Sequence, residues 1–165
     1  VKKQELIAYK LQPALVECEQ HLRRLHSAWV DAKAFSYWMS DAQELSDEQV
    51  RTLDQMVFRF GKLQDAIGSR LLPATLQLVE EWQEHEPFLD KLNRAEKLGM
   101  LPSAQQWQVL RELRNQTAHE YPDQPERVKA NLRRLLEQVP ILEAACRQLA
   151  DWARERIRTE AVEQG

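Results

Sequence analysis

Between Val128 and Ile157 apolar residues return every three or four positions: Val128, Leu132, Leu135, Val139, Leu142, Cys146, Leu149, Ala153 and Ile157. At about 3.6 residues per turn that rhythm draws one apolar line down a helix, whereas a half-buried strand alternates at every second residue. The same rhythm runs through Leu11, Leu15, Cys18, Leu22, Leu25 and Trp29, and again through Val50, Leu53, Val57, Phe60, Ile67 and Leu71. Lines of this kind must be covered, so the helices that carry them pack on one another. Only four glycines occur in 165 residues, which leaves little material for hairpin turns. The sequence predicts an all-α fold, an antiparallel bundle of four to five helices, as a single domain over residues 1–165.

Helix ends are legible too. Ser46-Asp47-Glu48-Gln49 and Ser103-Ala104-Gln105-Gln106 read as capping boxes, each launching a helix. Pro87 opens a short helix that Gly99 is placed to end. Asp123 is the expected cap of the last helix, with Pro125 just inside and Glu126 completing the box. Pro13, Gly68 with Pro73, and Pro140 are expected to kink or divide the helices that contain them. Residues 31–45 read as looser, with Phe35, Tyr37, Trp38 and Met39 clustered there and Trp38 suited to an interface. Gln64 interrupts its apolar line and marks a polar contact inside the bundle. No internal repeat or dividing linker is visible.

Composition narrows the functional classes. Hydrophobic residues make up 43% and charged residues 30%, and no apolar run approaches the length of a membrane span. No signal-peptide pattern opens the chain, so a cytoplasmic location is expected. Cys18 and Cys146 each sit in an apolar line and are expected as buried free thiols. A net charge of −3 argues against a general nucleic-acid coat protein but leaves room for an enzyme that grips RNA locally. The phosphate-loop, dinucleotide and zinc signatures are missing, so no cofactor and no metal are expected. His21, His26 and His85 are too loosely spaced to read as a metal site.

The chemistry-bearing residues cluster at Arg114-Asn115-Gln116-Thr117-Ala118-His119-Glu120-Tyr121. An arginine neutralises phosphate, and a histidine transfers protons near neutral pH. On an ideal helix Trp107, Leu110, Leu113 and Thr117 form the buried side, with Arg114 about 40° from Leu110 and therefore close to the core. A guanidinium placed there needs a carboxylate, phosphate or water partner. Arg111, Asn115 and His119 form an adjacent polar ridge. Arg114 and His119 lie about 140° apart around the axis, too far to converge on one group unless the last turn loosens or two chains each contribute a strip. Alternatively, Arg114 pairs structurally with an acid on another helix and His119 serves the helix dipole. On the preceding long helix, Lys62 and Asp65 are candidates to line the same cleft.

Arg114-Asn115-x-x-x-His119 resembles the RNxxxH signature of HEPN domains, and its extension to Tyr121 resembles the form found in HepT-type toxins. Phe58-Arg59-Phe60-Gly61-Lys62-Leu63-Gln64-Asp65 and the run from Trp107 through Arg111 to Asn115 are similar to the same group. The resemblance spans about residues 5 to 157, and its specific part is the motif. It implies a helical homodimer that cleaves RNA without a metal at a site shared between subunits. His119 would be the general base or acid, Arg114 the stabiliser of the pentavalent phosphate, and Asn115 the residue that orients histidine or phosphate. Arg111 and Lys62 would assist substrate binding. Tyr121 matches the tyrosine adenylylated by the partner, an MNT-type nucleotidyltransferase antitoxin. The resemblance also admits a non-catalytic HEPN binding subunit of such a transferase.

Overall fold

The computed structural model describes residues 2–34, 45–119, 123 and 125–165. The fold is an all-α bundle of five helices, with no strand among the described residues. Helix α1 runs as Lys3–Leu6, a π-helical turn at Ile7–Leu11, and Gln12–Lys33. Helix α2 runs as Asp47–Ala66, a π-helical turn at Ile67–Leu71, and Leu72–Leu78. Helices α3, α4 and α5 are Phe88–Lys97, Ala104–Ala118 and Pro125–Glu163.

The apolar lines explain the packing. Leu11, Leu25, Phe60, Leu63, Ile67, Leu110, Leu113, Leu142 and Leu149 are fully buried in one core. Cross-links between helices show the antiparallel order. On α1 and α2, His21 faces Arg59 while Glu17 faces Arg70. On α1 and α5, Trp29 donates to the Leu136 carbonyl while Lys3, at the other end, pairs with Glu160. Gln116 of α4 meets Arg134 of α5, while Gly99, ahead of α4, accepts from Gln148. Cys18 and Cys146, 128 positions apart in sequence, meet in the core as free thiols. Their mutual hydrogen bond and burial push Cys18 far above the ordinary thiol range.

The prolines act differently from a simple kink or stop. Each π turn ends two positions before a proline, Pro13 or Pro73: the Gln12 amide reaches back five residues to the Ile7 carbonyl, and Leu72 does the same to Ile67. Proline lacks a donor and its ring collides with the carbonyl four residues back, and a widened turn accommodates both defects without ending the helix. The two turns pack against each other and share the pattern Ile-x-x-(Lys/Arg)-Leu-x-Pro-Ala, at Ile7–Ala14 and Ile67–Ala74. This short internal echo escapes a reading made helix by helix. Helix α5 continues past Pro140 without a break.

Caps follow the expectations in part. Ser46 and Gln49 form the reciprocal box at the start of α2. At α4 only half a box exists: Ser103 accepts from the Gln106 amide at 3.1 Å, and a separate first-turn donor, the Ala104 amide, is satisfied by Glu96 of α3. Helix α5 is described from Pro125, with Glu126 in its first turn, and Gln124, between it and the expected cap Asp123, lies outside the described residues. Gly99 closes α3 as expected, with φ of 78°.

Candidate functional site

Helix α4 is held by Trp107, Leu110 and Leu113, all buried as its periodicity requires. It crosses α2 antiparallel, in a register set by two glycines seven positions apart. A Cβ on Gly61 would meet the Arg114 side chain at 3.6 Å, and one on Gly68 would meet Trp107 at 3.5 Å and Phe88 at 3.8 Å. A Cβ at either position would already be in van der Waals contact with side chains at this crossing, so the absence of side chains on this face of α2 leaves room for Arg114, Trp107 and Phe88.

That register lays Arg114 over Gly61 and next to Asp65, one turn further along α2. Arg114 Nη2 donates to Asp65 Oδ2 at 2.8 Å. The side chains are 37% and 55% exposed, so Arg114 stands further from the core than its position beside Leu110 predicts. Asp65 uses one of the five guanidinium donors and orients the fork, while the others remain for an anion.

Two hollows meet at this arginine. The larger, about 560 Å³, is lined by Gln64, Asp65, Gly68, Phe88, Trp107, Arg111, Arg114 and Asn115 among others. The smaller, about 270 Å³, adds Phe58, Lys62, Thr117 and Ala118. The structure therefore brings Arg111, Arg114 and Asn115 together, with Lys62 on the far side of Arg114. The Arg111 guanidinium lies 5.7 Å from the centre of the Phe88 ring, and Lys62 stands 5.5 Å from that of Phe58.

His119 goes elsewhere. Helix α4 ends at Ala118, where the Thr117 hydroxyl turns back to the carbonyls of Leu113 and Arg114. His119 itself is extended, with φ −90° and ψ 132°. It lines a separate small hollow against Val128, Asn131 and Leu132 of α5. Although the last turn is released, the two hollows described above that Arg114 lines are not the one that His119 lines. Tyr121 lies outside the described residues, as does Trp38.

His21 and His26 are engaged in the bundle, while His85 is exposed. His21 pairs with Arg59 at 3.0 Å and lies 3.5 Å from Glu17, and His26 pairs with the buried Glu143 at 3.1 Å. Among the described residues no cluster of three or more His, Cys, Asp or Glu is placed to hold a metal, and no helix is long and apolar enough to cross a membrane. Phe88 and the two glycines were missed as site residues. Half of the chain's four glycines falling seven apart on one helix was the available signal; Phe88 offered none. No protein-family model matches the chain, and no curated protein or solved structure matches it.

Proposed function

We propose that the protein is a HepT-like, HEPN-type endoribonuclease, acting without a metal at a site completed by a second copy of the chain. The observation that carries this reading is the setting of Arg114: oriented by an exposed carboxylate, flanked by Arg111, Asn115 and Lys62, and open to solvent where two hollows meet. A buried structural arginine would have its donors consumed, whereas this one keeps a fork free for a phosphate. His119 supports the dimeric form of the reading. It leaves Arg114's face at the end of α4, so the proton-transfer group for a phosphate on Arg114 is that of the second subunit.

The chemistry is a transesterification. His119 takes the proton of the ribose 2′-hydroxyl as its oxygen bonds to phosphorus, and Arg114 neutralises the equatorial oxygens of the pentavalent phosphate. The bond from phosphorus to the 5′ oxygen breaks, and that oxygen leaves with a proton. The products are a 2′,3′-cyclic phosphate and a 5′-hydroxyl. Asn115 holds the phosphate or the imidazole in place. Adenylylation of Tyr121 by a cognate MNT-type nucleotidyltransferase would add bulk and negative charge beside the motif and exclude RNA.

The test is cleavage of total RNA and tRNA by metal-stripped protein, set beside folded Arg114→Ala and His119→Ala variants. Cleavage lost in both, leaving cyclic-phosphate ends in the wild type, supports the nuclease. Intact RNA with unmodified wild-type protein turns the reading to a non-catalytic binding subunit of the transferase.

A further inference from the structure

Gln64 is the anomaly of the α2 core face. It is only 4% exposed, yet its amide nitrogen has no hydrogen-bond partner. A buried donor left unpaired destabilises the fold, and an apolar residue of similar size would serve a purely structural role better. Gln64 also lines the 560 Å³ hollow beside Arg114. The amide nitrogen therefore does not make the polar contact expected for Gln64 inside the bundle.

The rest of the hollow combines an aromatic wall with guanidinium groups, Trp107 being nearly buried behind it. Phe88 and Trp107 wall it and Gly68 keeps the space before them clear, since a Cβ there would already touch both rings. Arg111 lies over the same phenylalanine. Aromatic faces and guanidinium planes are the surfaces on which unpaired bases stack. A primary amide offers one donor and one acceptor side by side, which matches the neighbouring donor and acceptor on a base edge. A bare phosphate would leave the rings unused, and an alkyl chain would leave Gln64 unpaired.

We propose that this hollow is a nucleobase subsite, in which Gln64 hydrogen-bonds the edge of a base whose own phosphate lies on Arg114. The proposal rests on the ribonuclease reading for its place in a reaction, but it predicts nucleotide binding whether or not RNA is cut. Asp65 on the rim fits this arrangement: it repels a second phosphate from the hollow and leaves the uncharged base as the part that enters.

The decisive experiment follows the Gln64 side-chain amide by NMR while each of the four nucleoside 3′-monophosphates is added to the wild-type protein, with ribose 5-phosphate as the baseless control. The expected result is a Gln64 shift with at least one nucleotide, and binding about tenfold or more tighter than the control. Gln64→Leu should raise the melting temperature, because it removes an orphaned donor, while weakening nucleotide binding about tenfold or more. Gly68→Val, which fills the space before the rings, should weaken it as well. The proposal is overturned if no nucleotide moves the Gln64 amide at millimolar concentration, if ribose 5-phosphate binds as tightly as the nucleotides, or if Gln64→Leu binds as the wild type does. A Gln64 signal that follows protein concentration and not nucleotide also overturns it, in favour of a subunit contact. Base-dependent binding without cleavage keeps the subsite and removes the nuclease. Cleavage unchanged in rate and pattern by Gln64→Leu, with no Gln64 shift, keeps the nuclease and removes the subsite.

Discussion

Arg114 and Asp65 meet at the surface, where ion pairs contribute up to about 1 kcal/mol. Arg114→Ala should therefore lower the melting temperature by no more than about 4 °C in a chain of this size. If Arg114 stabilises the transition state, the same change lowers cleavage at least about a hundredfold. Arg114→Lys keeps the charge but not the planar fork, so it should not restore activity. Calorimetry and single-turnover cleavage on the same preparations separate the two effects. Glu86 behaves in the opposite way, as a structural acid. Hydrogen bonds from Arg94 hold its carboxyl below the ordinary value of 4.5. A carboxyl depressed on folding stabilises the protein above its unfolded value, and that contribution disappears as pH falls through the folded value. Melting curves should show Glu86→Gln less stable than the wild type at neutral pH, with the gap closing as the pH falls below the ordinary carboxylate range.

Two helices end in the same way with different residues. After α2, Glu80 and Glu81 donate to the Gln77 and Leu76 carbonyls; after α3, Gly99 and Met100 donate to those of Glu96 and Ala95. Both ends place one residue in the left-handed region, Glu80 at φ 61° and Gly99 at φ 78°. Glutamate is strained there and glycine is not. Glu80→Gly should stabilise the fold by about 1 kcal/mol and Gly99→Ala should destabilise it by a similar amount, read from urea unfolding. The helices and several caps were legible because they depend on neighbours within a few positions: the Ser46 box, the stop at Gly99, the buried line of Trp107, Leu110 and Leu113. The π turns were not. Pro13 and Pro73 announce a disturbed helix, but whether it breaks, kinks or widens depends on what packs there, and the partner of each turn lies 60 positions away. At the second capping box the neighbouring helix adds a contact that the local sequence does not announce, since Glu96 of α3 accepts from the Ala104 amide.

At the scale of the molecule, the residues of the site were legible and their grouping was not. Arg114, Asn115 and His119 stand out by type and spacing, and the ideal-helix angle already separates Arg114 from His119. Asp65 becomes the partner of Arg114 only through the α2–α4 register that Gly61 and Gly68 permit, which is tertiary information. That register leaves Arg114 facing α2 and His119 facing α5, so on the proposed reading one chain holds two incomplete halves. A site assembled between copies is the central claim, and complementation tests it most directly. Arg114→Ala and His119→Ala proteins are each inactive on this account, but a dimer containing one of each has one site with both residues intact. After the two are unfolded, mixed and refolded together, about half of the dimers are mixed, so metal-free RNA cleavage should recover to roughly a quarter of the wild-type rate. A mixture as inactive as either variant alone, with mixed dimers confirmed by native mass spectrometry, would contradict the shared site.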